Sequence, residues 1–195
     1  MRIAPALVAA LAVAACGGAV PKAEPASYDL GAVAVAWHSG SHGVRGVGVF
    51  APSWLGGTAI AYRLLYADPL RRQVYAHSRW AAPPAALIER LLNRQTAAGG
   101  ACRLRLDVDD LAQVFDTPQT SRTLLDVRAA LVAPDRDTVL ARKAFSLAEP
   151  APTADARGGV AATAAAVTAL GGALDAWLAQ LAREHPAIAQ RCRGA

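Results

Sequence analysis

Few of the residue types that carry chemistry are grouped in this 195-residue chain, and each grouping suggests a different reaction. His38 and His42 stand four apart, as two metal-ligating imidazoles can. They sit, however, in the run His38-Ser39-Gly40-Ser41-His42-Gly43, with no carboxylate or thiolate close in sequence to complete a ligand set. That run reads as a surface loop, and no metal is expected. Asp107, Asp109 and Asp110 lack the spacing and the glycine of a calcium loop and read as a solvated strand face. Gly46-Val47-Gly48-Val49-Phe50-Ala51 formally matches the start of a dinucleotide-binding turn, but Pro52 follows where a helix should continue and no clear strand–helix–strand unit surrounds it. A P-loop lysine and a G-x-S-x-G elbow are both missing from the sequence. The chain therefore reads as a protein that is not an enzyme and takes no cofactor.

The cysteines are more informative. Arg2 is a positive leader, residues 3–13 form an apolar stretch too short to span a bilayer stably, and Ala14 and Ala15 are the small residues a signal peptidase needs. Cys16 follows at once. Val13-Ala14-Ala15-Cys16 resembles the bacterial lipobox, in which the thiol is diacylated, the peptide before it is cut, and the new amino group is acylated. The plain alternative is an ordinary secretory signal followed by an unrelated cysteine. On the lipobox reading, residues 1–15 are a lipoprotein signal peptide and Cys16 is the lipid attachment site. Residues 16–27 are then a flexible acylated tether reaching about 35 Å at most, and residues 28–195 are a single domain. Gly17 in place of aspartate favours an outer-membrane anchor facing the periplasm. Cleavage removes Arg2 and lowers the net charge from +5 to +4. In an oxidising compartment the remaining Cys102 and Cys192 are a candidate disulfide, the alternative being two buried free thiols, because sequence alone does not place their Cα atoms within about 7 Å.

Composition bounds the scaffold that holds these residues. A chain that is 54% hydrophobic and 18% charged, with roughly a quarter of its residues alanine, can bury a core and is not intrinsically disordered. Beyond the leader, every long apolar run is interrupted by charge, proline or a glycine cluster, which argues against a polytopic membrane protein. The pI of 9.6 would suit nucleic acid, yet only Arg71 and Arg72 form an uninterrupted basic pair in mid-chain, so no phosphate-neutralising face accumulates and no nucleic-acid partner is expected.

The periodicities then give an order of elements. Residues 28–37 contain a short strand in which Val33, Val35 and Trp37 alternate, and residues 44–50, 58–66 and 72–77 are strand-like, with Ile60, Tyr62, Leu64 and Tyr66 on one face. Pro83-Pro84 starts an amphipathic helix with Leu87, Ile88, Leu91 and Leu92 as its stripe, ending before Gly99-Gly100. Three strands follow, at 102–115, 120–133 and 137–147; Leu111 breaks the alternation of the first and implies a β-bulge near Asp109 and Asp110. A long helix over 155–185 carries an apolar stripe and stops at Pro186. Its stripe either covers the sheet or makes a homo-oligomer, and Gly171-Gly172 favours close packing on a neighbour. The expected fold is α+β, an antiparallel sheet with helices packed on one face in two layers.

Several stretches carry a resemblance. Ile60-Ala61-Tyr62-Arg63 through Tyr66, then Tyr75-Ala76-His77-Ser78-Arg79-Trp80-Ala81-Ala82-Pro83-Pro84, together with Gln113-Val114-Phe115-Asp116, Tyr28-Asp29-Leu30-Gly31 and the lipobox, resemble the ABC-type transport auxiliary lipoprotein family. That family includes the lipoprotein component of paraquat-inducible systems. The resemblance implies a non-catalytic role beside an ABC transporter permease and ATPase and an MCE-domain protein, moving lipids or other hydrophobic molecules across the Gram-negative envelope. It brings no catalytic residues. Tyr62, Tyr66, Trp54 and Trp80 read as packing residues more readily than as a ligand cage. Arg63, Arg79, Asp116 and Gln119 are the candidate partner-docking residues, the last two on the exposed turn over 116–121. The alternative function is a structural or assembly lipoprotein of another envelope machine, such as a secretion apparatus.

Overall fold

The computed structural model describes residues 24–94, 99–135 and 138–194; Cys16 and the leader lie outside the described residues. In chain order the elements are β1 (Ala26–Tyr28), β2 (Val44–Phe50), β3 (Ala59–Leu64), β4 (Asp68–Trp80), α1 (Pro84–Asn93), β5 (Cys102–Thr117), β6 (Thr120–Val132), β7 (Val139–Pro150), α2 (Ala156–Glu184) and α3 (Pro186–Arg193). Strict alternation builds the centre. Cys102, Leu104, Leu106 and Val108 of β5 are buried against Leu125, Val127, Ala129 and Leu131 of β6, while Arg103 and Arg105 point to solvent. The β5–β6 register shifts between Val108 and Asp110, the bulge the broken alternation implies, and this returns Leu111, Gln113 and Phe115 to the face that Val108 occupies.

The fold is α+β, with seven strands in the order β1-β4-β3-β5-β6-β7 and β2 also on β5. The expectation of a purely antiparallel sheet is corrected: β1 pairs parallel with β4, and both β2 and β3 pair parallel with β5. The reason lies in the connections. Residues 51–58 between β2 and β3 form an open corner with a 3-10 turn at Ser53–Leu55, too long for a tight hairpin, so the two strands keep the same direction and lie end to end along one edge of β5. The chain then reaches β5 through a crossover containing α1, as parallel pairing requires. The outer edge of β2 is satisfied by side chains of that helix: Asn93 Oδ1 accepts from Val47 N–H at 3.0 Å, Asn93 Nδ2 donates to Val47 O at 2.7 Å, and Glu89 Oε2 accepts from Val49 N–H at 2.8 Å.

Residues 33–37, expected as a strand, are not one. Val35 and Trp37 are nonetheless buried, because α2 presses on them at Gly171, where an added Cβ would lie 1.9 Å from Val35 Cγ1. Tyr66, expected on the face of Ile60 and Tyr62, lies beyond β3 in the turn and is exposed. α2 is capped by Asp155, whose carboxylate accepts from Gly158 N–H, and it buries Ala166, Val167, Leu170, Leu174 and Leu178 in one core shared with α1 and the sheet. By length and a mean hydropathy of 1.4 it could cross a bilayer, but half of that stretch is buried inside the fold, as in a core helix. Pro186, read as a stop, also opens α3 as its first-turn proline, and α3 brings Cys192 to the start of β5. There Cys102 and Cys192 are joined in a disulfide with Cα atoms 4.8 Å apart, and Ala101 N–H donates to Cys192 O at 2.7 Å.

Two neighbouring glycines separate close approach from mere helix weakening. Gly171→Ala is expected to destabilise by about 1–3 kcal/mol through overpacking on Val35, whereas Gly172, with nothing within 4 Å of a Cβ, should gain about 0.5–1 kcal/mol as alanine. Urea unfolding of the two variants checks this, with midpoints moving in opposite directions. The disulfide closes a loop of 90 residues, so Cys102→Ser with Cys192→Ser should lose about 4–5 kcal/mol in the chain-entropy account, read by the same titration.

Candidate docking surface

The four residues singled out for docking are not brought together. Arg63, on β3, is committed internally: its Nη1 donates to Asp110 Oδ2 at 2.6 Å, while Arg72 Nη1 donates to Asp110 Oδ1 at 2.8 Å and Arg72 Nη2 to Leu111 O at 2.9 Å. Burial pushes the Asp110 carboxyl up, but the hydrogen bonds from Arg63 and Arg72 outweigh it and hold the group below the usual carboxylate range. Arg72 also stacks on Trp54, its guanidinium carbon 4.8 Å from the ring centre. Asp110 is thus a bridge between β4, β3 and the bulge of β5, where a solvated strand residue was expected. Arg79 is exposed at the other end of the hairpin, opposite Ala59. Asp116 pairs with Arg122 across the β5–β6 turn, and Gln119 is exposed at its tip, its N–H donating to Thr117 Oγ1.

Beneath the N-terminal half of α2 lies a polar chain that sequence reading missed. Tyr75 hydroxyl donates to Gln113 Oε1 at 2.8 Å, and Gln113 Nε2 donates to Ser121 Oγ at 2.8 Å. Thr123 Oγ1 donates to Gly159 O at 3.0 Å. Burial, and then Tyr62 and Asp155, push the Tyr75 hydroxyl up, so it stays protonated as the donor. The available signal was Gln113 itself, a lone amide between Leu111, Ala112, Val114 and Phe115. Tyr62 packs on Tyr75 and Phe115, with ring centres 4.7 and 5.9 Å away. Trp80 is buried too, whereas Trp54 is exposed, so the packing reading holds for Tyr62 and Trp80 and fails for Trp54 and Tyr66.

The histidines do acquire a carboxylate, contrary to the loop reading. Ser39–His42 is a 3-10 turn packed on α2; His42 Nε2 lies 3.0 Å from Asp175 Oδ1, and His38 N–H donates to the same oxygen at 3.1 Å. Burial raises the Asp175 carboxyl, but the contacts from His42 and His38 outweigh it and leave it lowered. Among the described residues no three histidine, cysteine, aspartate or glutamate side chains are grouped to hold a metal.

A larger arrangement lies on the sheet face opposite the helices. Phe50, at the end of β2, is 51% exposed, and Arg105 sits over its ring at 4.7 Å. Arg105 is held in turn by Asp107 at 2.9 Å, and Arg128 forms a two-pronged pair with Asp109 at 2.6 and 2.7 Å. The hydrogen bonds that Arg128 donates lower the Asp109 carboxyl, and donating to Asp107 raises Arg105, so these exposed pairs stay charged. Asp107, Arg128, Arg142 and Lys143 line a shallow depression beside them. A half-exposed aromatic under a fixed, paired arginine, with a second ion pair on the same face, is suited to recognising a protein surface.

No family model matches the sequence, and no curated protein matches it. Among solved structures, the chain is similar to protein XCC0632 of Xanthomonas campestris, assigned to the family DUF330, whose function is unknown. The identity is 20% and the TM-score 0.64, over 83% of this chain and 97% of that one. It is also similar to an uncharacterized protein at 12% identity and a TM-score of 0.59, over 80% of this chain and 99% of that one. At these identities the likeness establishes the fold.

The Asp110 bridge sets an acid limit on stability. A carboxyl held low in the folded state stabilises the fold above its unfolded value and loses that contribution as pH falls through its depressed value. Asp110→Asn is expected to lose about 1–2 kcal/mol at pH 7, because Arg63 and Arg72 keep their charges without a counter-charge, and to flatten the loss of stability that wild type shows below about pH 4. Urea unfolding of both proteins at neutral and acid pH reads the two slopes.

Proposed function

We propose that this chain is a lipid-anchored accessory lipoprotein of an ABC and MCE-type intermembrane transport system, acting by holding and docking with no chemical step of its own. The observation that carries the docking part is the helix-free sheet face, where Phe50, Arg105 and Arg128 stand on paired strands and need no rearrangement to meet a partner. What directs it to transport is the sequence resemblance, whose Tyr62-Arg63 to Arg79-Trp80-Ala81-Ala82-Pro83-Pro84 block folds as one continuous unit, the β3–β4 hairpin running into α1. Acylation at Cys16 fits this role, since a tethered domain needs only modest affinity for a partner in the same membrane system. Three acyl chains, at about 0.8 kcal/mol per buried methylene, exceed what stable anchoring requires.

In-cell crosslinking followed by solubilisation of the envelope is expected to recover an MCE-domain protein or an ABC component. Phe50→Ser and Arg105→Glu should each lower that recovery about tenfold, the loss typical of a removed anchor residue, while leaving folding unchanged. Cys16→Ser should leave an unacylated protein that no longer fractionates with membranes. Capture of no transporter component by the correctly folded, acylated protein would sink the transport reading and turn attention to assembly of another envelope machine.

A further inference from the structure

The anchor and the sheet are related by the direction of one short strand. β1 pairs parallel with β4, Ala26 opposite Ser78 and Tyr28 opposite Trp80. The chain upstream of Ala26 therefore enters from the side of β4 that precedes Ser78, the side leading to the β3–β4 turn. From Ser78 back to Leu70 is at most about 26 Å along an extended strand, and the residues from Cys16 to Ala26 reach at most about 35 Å. The acylated cysteine can thus lie level with the hairpin tip, toward which the parallel pairing directs the chain upstream of Ala26.

That tip is unusual in composition. Six large hydrophobic side chains are exposed among the described residues; Tyr66 and Leu70, the latter at 93%, stand at this tip, Val74 lies further back on β4, and Trp54 stacks on Arg72. At the tip Arg71 is exposed beside Leu70, with Asp68 nearby, while Arg72 is committed to Asp110 and Arg79 lies at the other end of the hairpin. Among the described residues, β1 covers the outer edge of β4 only from Ser78 onward. The β5–β6 turn stands at the same end of the sheet, because Leu64 of β3 lies beside Phe115 of β5. Apolar tips with an aromatic and an arginine suit the boundary between acyl chains and phosphates.

We infer that the β3–β4 hairpin tip, with Tyr66 and Leu70 foremost and Arg71 at the phosphates, rests in the phospholipid leaflet that holds the anchor. This orients the helix-free face sideways and sends the disulfide end away from the membrane. The inference rests on the acylation of Cys16 proposed above. Acylated protein is reconstituted into vesicles of phosphatidylethanolamine with a minority of phosphatidylglycerol, some chains brominated, after labelling Leu70→Cys or, as the remote site, Gln180→Cys with an environment-sensitive fluorophore. Co-flotation with several-fold stronger bromine quenching at position 70 than at position 180 is the expected result. Co-flotation with equal or no quenching at the two positions overturns the inference and leaves the anchor standing. If Cys16→Ser floats as well as the acylated protein, or the acylated protein does not float, the anchor reading itself fails and the orientation fails with it.

Discussion

Both edges of β5 are occupied along most of its 16 residues, by β6 on one side and by β2 and then β3 on the other. A strand flanked in this way has almost every backbone donor and acceptor committed, so its side chains must satisfy both faces at once. The bulge at Asp109 makes that feasible. Before it, Leu104, Leu106 and Val108 face the helices and Arg105 and Asp107 face out. After it, Leu111, Gln113 and Phe115 take the inner face, and Asp110 is left where Arg63 and Arg72 can reach it. One inserted residue thus fixes both the start of the polar chain under α2 and the ion bridge that locks the hairpin to the sheet.

Much of this was legible in the sequence, and the parts that were not share a cause. Most strand and helix positions followed from local period, and the bulge from a single misplaced leucine, whereas β1 lies largely in the stretch read as tether and α3 follows the proline read as a stop. Strand direction did not, because hairpin reasoning applies only where the link is short, and residues 51–58 are not such a link. The carboxylate beside His42 was invisible because Asp175 lies far along the chain on α2. Asp110 looked solvated because its partners lie on two other strands. The buried segment 33–37 shows the same limit, since Val35 and Trp37 are buried by contact with Gly171 and without a strand ladder. Local pattern reports which residues leave water, and only topology reports what meets them.

The two faces of the sheet are stabilised by different physics. Toward α1 and α2 the side chains are mostly apolar, and the sheet's Gln113, Ser121 and Thr123 are each hydrogen-bonded there, as burial demands. On the opposite face Asp107 and Asp109 each hold an arginine in place, and such exposed pairs contribute little to stability. Their effect is to fix guanidinium positions, that of Arg105 over Phe50, and their attraction for a partner is screened by salt.

The short parallel pairing of β1 also has a mechanical meaning. Load applied through the N-terminus enters the fold at β1, whose one strand partner among the described residues is the Ser78–Trp80 segment of β4, backed by the bond from Ala81 N–H to Tyr28 O and by buried Leu30. Because the chain approaches along the strand axis, such a pull strains those bonds in shear, all together, where a perpendicular pull would open them one at a time. Failure there would release Tyr28 and Leu30 first, while residues 102–192 remain a closed covalent ring. The weakest joint under tension is therefore at the rim of the sheet, and its rupture would lengthen the leash before it disturbs the centre.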